Sequence, residues 1–149
     1  HDNLGTALME QGRLADALGH FERAVALAPR DESMQFNLGN GLGRASRFAE
    51  AAAAYERALA LNPEFPDAHV NLGALLLSRG RVQDALGHFE RAVEIKPNSA
   101  VLRSNLSTAL MAAGRLPEAM QHVRRALALN PTYGPAIENL QRLQQLGIR

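Results

Sequence analysis

The 149-residue chain is 46% apolar and 21% charged, a folded composition of a size that a single domain spans. Its 16 Lys plus Arg nearly balance 15 Asp plus Glu, so the formal net charge of +1 gives no electrostatic reason to expect nucleic acid or an anionic membrane as partner. The absence of cysteine excludes a disulfide framework and a thiolate metal site and fits a reducing, cytoplasmic compartment, while no apolar run reaches the ~20 residues of a membrane helix and no signal peptide is visible.

Taken in chain order, apolar residues recur at three- and four-residue steps and predict helices over 1–11, 15–28, 32–45, 48–61, 66–79, 82–95, 99–113, 116–129 and 134–146. The chain opens at His1 inside the first of these, so it is expected to be a piece of a longer sequence. Residues 66–79 carry Leu72, Leu75, Leu76 and Leu77 among small residues, which makes this helix apolar on more than one side. A turn follows at Gly80-Arg81, then Val82, Ala85, Leu86, Phe89, Ala92 and Val93 form one stripe. Pro97 closes the stretch, because proline lacks the N–H and its ring clashes with the preceding turn. Pro66 and Pro117 sit near helix starts, where the missing N–H costs nothing.

The same pattern returns every 34 residues. Pro29, Pro63, Pro97 and Pro131 are so spaced, as are Asn3, Asn37, Asn71, Asn105 and Asn139, and Leu4, Leu38, Leu72, Leu106 and Leu140. Arg13, Arg47, Arg81 and Arg115 form another series, with two alanine series beginning at Ala17 and Ala24. A period of this length means stacked supersecondary units. These are expected at 1–31, 32–65, 66–99 and 100–133, with a capping helix at 134–149. Gly5, Gly39, Gly73 and Ser107 are small where a neighbouring helix comes close, and Phe21, Tyr55, Phe89 and Val123 are the large residues that fill the gap. Gly41 and Gly43 read as weak points within a helix, each costing up to about 1 kcal/mol against Ala.

Leu4-Gly5, Ala17, Phe21, Ala24 and Pro29, repeated along the whole chain, resemble the tetratricopeptide repeat. The resemblance implies an all-α, right-handed α-solenoid of four helix pairs plus a C-terminal cap. The family's early Trp is replaced by His1, Gln35, His69 and Arg103, and its first-helix Tyr by Leu8, Leu42, Leu76 and Leu110. In the last helix Ile137, Leu140 and Leu143 are expected to face inward and Gln141, Arg142, Gln144 and Gln145 to meet water, as a solenoid cap requires.

The family's first helices line a concave groove, so the resemblance sets the five asparagines in a row along it. An amide offers donor and acceptor together and can hold a peptide backbone. Helices packed about 8–10 Å apart would present one Asn to about every third residue of an extended chain. Such a ladder is similar to the peptide-holding arm of O-GlcNAc transferases. Phe36, Asn40, Val70, Leu77, Met111 and Met9 are expected at the same groove, where adaptable apolar groups often mark a binding site. The family's two-carboxylate clamp is not expected, because Asp2, Phe36, Val70 and Ser104 stand beside the asparagines where it needs Lys and Arg.

No catalytic site is visible: a G-x-S-x-G elbow and a phosphate-binding G-x-x-x-x-G-K-[ST] loop are both missing. Metal is not expected, because His20, His88 and His122 share one repeat position and His1 and His69 another, and no His-x-x-x-His occurs. Asp16 with His20 and Asp84 with His88 read as surface pairs at i,i+4. Charge is uneven: residues 1–31 carry three basic and five acidic groups, residues 99–149 six and two, so end-to-end self-association is expected at low salt. The expected function is a scaffold, free of cofactor, that binds a protein or peptide segment in an Asn-lined groove. The alternatives are the substrate-recruiting arm of a larger enzyme, such as a glycosyltransferase, and a self-assembling structural scaffold.

Overall fold

The computed structural model describes residues 2–148, without the Asp2 side chain; the position assigned to His1 above lies outside these residues. The described residues form nine helices and no strand: α1 (Asp2–Glu10), α2 (Leu14–Leu27), α3 (Glu32–Arg44), α4 (Phe48–Leu61), α5 (Pro66–Ser78), α6 (Val82–Ile95), α7 (Ala100–Ala112), α8 (Leu116–Leu129) and α9 (Gly134–Gln145). Every boundary lies within one residue of the expectation. The chain divides into two compact units, 1–68 and 69–149, with the division inside α5. In the first unit α2 packs on α1 and α3, and α3 on α4; in the second α7 packs on α6, α8 and α9, and α8 on α9.

The turn from first to second helix is the same each time. The N–H groups of Arg13, Arg47, Arg81 and Arg115 each donate to the carbonyl of Leu8, Leu42, Leu76 and Leu110 at 2.9 Å. This closure needs a left-handed residue just before the Arg. Gly12, Gly80 and Gly114 supply it with φ of 73–76°, and Ser46 adopts it at φ 59°. The arginine then folds over the start of the second helix. Arg13–Asp16, Arg47–Glu50, Arg81–Asp84 and Arg115–Glu118 are ion pairs at 2.6–2.8 Å. Asp16 and Asp84 thus face arginine, a partner that the reading of them as histidine pairs overlooked. Arg115 also reaches Glu90 at 3.5 Å and Arg47 reaches Glu22 at 3.9 Å, tying α8 to α6 and α4 to α2.

Between the two helices of a pair lies one buried large residue. Phe21, Tyr55 and Phe89 are 0%, 5% and 3% exposed. Each ring rests where the facing glycine lacks a side chain. A Cβ on Gly5 would stand 2.7 Å from Phe21, one on Gly39 2.6 Å from Tyr55, and one on Gly73 3.2 Å from Phe89. In the last pair Val123 replaces the ring and Ser107 the glycine, and both are fully buried. Gly41 belongs to this set too: its Cβ would meet Phe21 at 3.0 Å and Leu18 at 3.1 Å, so it permits the approach of α2 to α3 and is no mere weak point. Gly43 has only the Tyr55 hydroxyl within reach, at 3.9 Å.

Leu8, Leu42, Leu76 and Leu110 are buried core, as the tyrosine replacements require. Of the positions that replace the family's tryptophan, Gln35, His69 and Arg103 are buried as well but polar, and each has a polar partner. Arg57 donates to Gln35 at 3.2 Å, His69 and His88 bring their Nδ1 atoms to 3.0 Å, and Arg103 Nε donates to the Pro97 carbonyl at 2.9 Å. On α9, Ala136, Asn139 and Leu143 are buried, Ile137 and Leu140 half-buried, and Gln141, Arg142, Gln144 and Gln145 exposed.

Two substitutions on α3 separate packing from helix propensity. Gly39→Ala drives a methyl into the Tyr55 ring and is expected to destabilise by about 1–3 kcal/mol, the usual cost of overpacking. Gly43→Ala enters open space and is expected to stabilise by up to about 1 kcal/mol. Urea denaturation of both variants checks the opposite signs.

Candidate functional site

The expected groove residues lie on first helices, but they are not in equivalent states. In the first unit Asn3 is exposed on α1, and Asn37 and Phe36 are half-buried on α3. Phe36 is packed rather than open: its ring centroid lies 4.8 Å from that of Phe65 and 5.9 Å from that of Tyr55. Asn40 is likewise drawn into the scaffold, because its Oδ1 accepts a 2.8 Å bond from the Tyr55 hydroxyl. Both were expected to face a ligand; the aromatic cluster claims one and the tyrosine the other. Phe65, in the loop before α5, is the member of that cluster that periodicity did not reveal, since it falls outside every helix.

In the second unit Val70 and Asn71 on α5 and Met111 on α7 are half-buried. Leu77 and Asn105 come together. With Ala74, Ser78, Phe89 and Thr108 they line a hollow of about 330 Å³ between α5 and α7. Phe89 is almost wholly buried and forms its floor. The combination is an apolar seat with a half-buried amide and a hydroxyl at the edge, the usual chemistry of a pocket that takes a side chain and fixes its backbone.

Asn139 departs from the expected ladder. It is 5% exposed, and its amide nitrogen donates to the Ser104 carbonyl at 3.3 Å, Ser107 Oγ at 2.8 Å and Thr108 Oγ1 at 3.0 Å. These bonds fasten the capping helix to α7, so the amide nitrogen of Asn139 is engaged by the scaffold. The signal was present in the sequence: Ser104, Ser107 and Thr108 put three hydroxyls on α7 where the sister helices carry fewer.

Among the described residues no three His, Asp or Glu side chains converge as metal ligands. Among the described residues no helix is long and apolar enough to cross a membrane. Among the described residues one buried side-chain polar atom lacks a partner, Nδ1 of His122 on α8. Burial holds this imidazole below its ordinary pKa, and Arg103 on α7 and Arg125 on its own helix add to the effect; Glu118 opposes it weakly and Arg115 reinforces it.

With this geometry in hand, comparison with known proteins gives a consistent result. Three family models described as tetratricopeptide repeat match residues 1–64, 36–100 and 76–143. No curated protein matches the chain. Among solved structures, the chain is similar to YrrB, described as a TPR protein with an unusual peptide-binding site, at 24% identity and a TM-score of 0.81, over 97% of this chain and 75% of that one. It is similar to MamA at 26% identity and a TM-score of 0.80, over 87% of this chain and 75% of that one. It is also similar to residues 41 to the end of MamA from Desulfovibrio magneticus RS-1, at 19% identity and a TM-score of 0.79, over 97% and 92%.

Removal of the Asn139 amide breaks the bonds that fasten α9 to α7 and takes from the buried Ser107 hydroxyl and from that of Thr108 the donor they accept, so Asn139→Ala is expected to lower stability by about 1–3 kcal/mol in chemical denaturation. His122 gives a pH dependence. The unfolded imidazole takes its proton near pH ~6.5, the folded one only at lower pH. Stability is therefore full above that window and declines as pH falls through it. The drop in Tm on acidification from about pH 7.5 to 5 is expected to be smaller in His122→Gln than in the parent.

Proposed function

Because the chain belongs to the tetratricopeptide repeat family, we propose that it is an interaction module that binds an extended peptide or partner segment along the faces of its first helices. The observation that carries this reading is the hollow that joins Leu77 and Asn105 across α5 and α7. An apolar side chain of the ligand sits on Phe89 and Leu77, and the Asn105 amide takes the ligand backbone. Asn71 and Asn37 stand at the same repeat position on α5 and α3 and extend the grip within their own units, with Asn3 on α1. Val70 and Met111 supply further apolar contact. Asn139, Asn40 and Phe36 are left out, because the scaffold already uses them. YrrB, which shares the fold, is described as having a peptide-binding site, and this agrees with the reading. The residues are assigned no catalysis.

Sequence preference is loose in this scheme, because backbone contacts read no side chain and one hollow reads only one. A second reading, end-to-end self-association, is favoured by the uneven charge: residues 1–31 carry three basic and five acidic groups, residues 99–149 six and two.

A displayed peptide library supplies a ligand, and calorimetric titration then compares the parent with Leu77→Ala and with Asn71→Ala/Asn105→Ala. Each amide contact contributes about 0.5–1.5 kcal/mol, so the double variant is expected to bind at least about tenfold more weakly, a decade being about 1.4 kcal/mol. Leu77→Ala is expected to change which peptides are selected. Folded variants that select and bind the same peptides as the parent would show that the partner docks elsewhere.

A further inference from the structure

A second hollow, polar where the first is apolar, lies at the corner where the α6–α7 loop meets the end of α8. It measures about 300 Å³ and is lined by Asn98, Arg103, Arg125, Ala128 and Leu129. Arg103 is only 7% exposed, yet among the described residues its guanidinium makes one hydrogen bond, to a neutral backbone carbonyl. Among the described residues no carboxylate pairs with Arg103 or with Arg125. Burial and the charge of Arg125 both disfavour the Arg103 cation. On the other side of Arg125, His122 with Gln121 and Arg124 lines a neighbouring hollow, and the His122 Nδ1 is without a partner. A buried guanidinium beside another cation is costly unless an anion joins it.

The sister units show that the repeat does not demand this arrangement. Arg57 stands at the position of Arg125 and Gln35 at that of Arg103, and the two bond to each other. Arg91 stands at the same position and takes Glu94, three residues on, at 3.0 Å. In the last pair both solutions are gone at once: Gln35 has become Arg103, and Glu94 has become Ala128. The change adds one positive charge, removes one negative charge and leaves space in place of the missing carboxylate.

We propose that this corner is an anion site that receives the carboxylate of a glutamate or aspartate side chain from an acidic peptide segment. The two guanidiniums and the Asn98 amide take the oxygens, since arginine matches a carboxylate in bidentate fashion. Ala128 and Leu129 form an apolar wall for the methylene stem, which a bare inorganic anion has no use for. The corner stands apart from the hollow at Leu77 and Asn105, so each succeeds or fails without the other.

The test uses the isotope-labelled full chain, read by NMR at the arginine side-chain N–H groups and the His122 ring. It is titrated with a blocked penta-glutamate peptide, with penta-glutamine and with inorganic phosphate. Saturable shifts centred on Arg103 and Arg125 are expected with penta-glutamate, together with a rise in the His122 pKa as the local positive charge is neutralised. Penta-glutamine is expected to leave these signals unmoved. Arg125→Gln, on the exposed rim, and Arg103→Gln, which installs the residue found at Gln35, are each expected to weaken binding at least tenfold. Ala128→Glu restores the arrangement of Arg91 with Glu94 and is expected to block the site from within. Binding that survives Arg125→Gln and Ala128→Glu, or phosphate that binds as tightly as penta-glutamate, would overturn the assignment.

Discussion

The contact on which the rest depends is that of one large side chain laid against the bare backbone of the helix that precedes it. Tyr55 lies where a Gly39 side chain would begin, and Phe21 and Phe89 do the same at Gly5 and Gly73. Close packing at interior density leaves no room for even one added methyl at such a point. The contact fixes the distance between the paired helices, and the left-handed turn before each Arg fixes their direction. Everything on the first helices is placed by these two constraints. Phe89 links the fold to the proposed site, since one ring seals α6 against Gly73 and floors the hollow beneath Leu77 and Asn105.

The fold was legible because a 34-residue period repeats its own evidence: each turn glycine, closing proline and small–large pair occurs several times, and one weak signal supports the next. The site was legible only in part, for a physical reason. Position on a helix says which way a side chain leaves the backbone, not what waits opposite. Asn40 and Asn139 carry the same amide as Asn105, but one meets a tyrosine hydroxyl and the other three acceptors on α7. Phe36 shares its repeat position with Val70 and was drawn inward by Phe65, a loop residue with no counterpart in the helical pattern. The fates of these residues were decided by what differs between the units at the neighbouring positions, such as the Tyr55 and Ser107 hydroxyls, which periodicity averages away.

The inner polar positions show the same limit from the other side. Replacement of the family's tryptophan by Gln35, His69 and Arg103 reads from sequence as three unrelated tolerances. In the structure each is buried, and each is matched to a different partner: an arginine, a histidine and a backbone carbonyl. A buried polar group must find a hydrogen bond, so a change at one such position requires an answer from the helix it faces. The repeat backbone is constant; the pairing chemistry inside it is rewritten unit by unit.

That distinction separates scaffold from function. Features present in every unit, such as the turn arginine with its acidic partner, are explained by the need to build the unit. Features present once have no such explanation. Asn139 departs from the groove role of its series and gives the capping helix its anchor. Ser107 departs from glycine, and the smaller Val123 accommodates it. Arg103, opposite Arg125 and Ala128, is a departure for which the fold offers a backbone carbonyl but no opposite charge: the cation is buried, the neighbouring charge has the same sign, and the carboxylate that serves Arg91 is missing. A stack of near-identical units confers one binding chemistry along its length. Specificity for a partner enters where a unit accepts a local cost that its sisters avoid, and that cost is recovered only when the partner brings the missing charge.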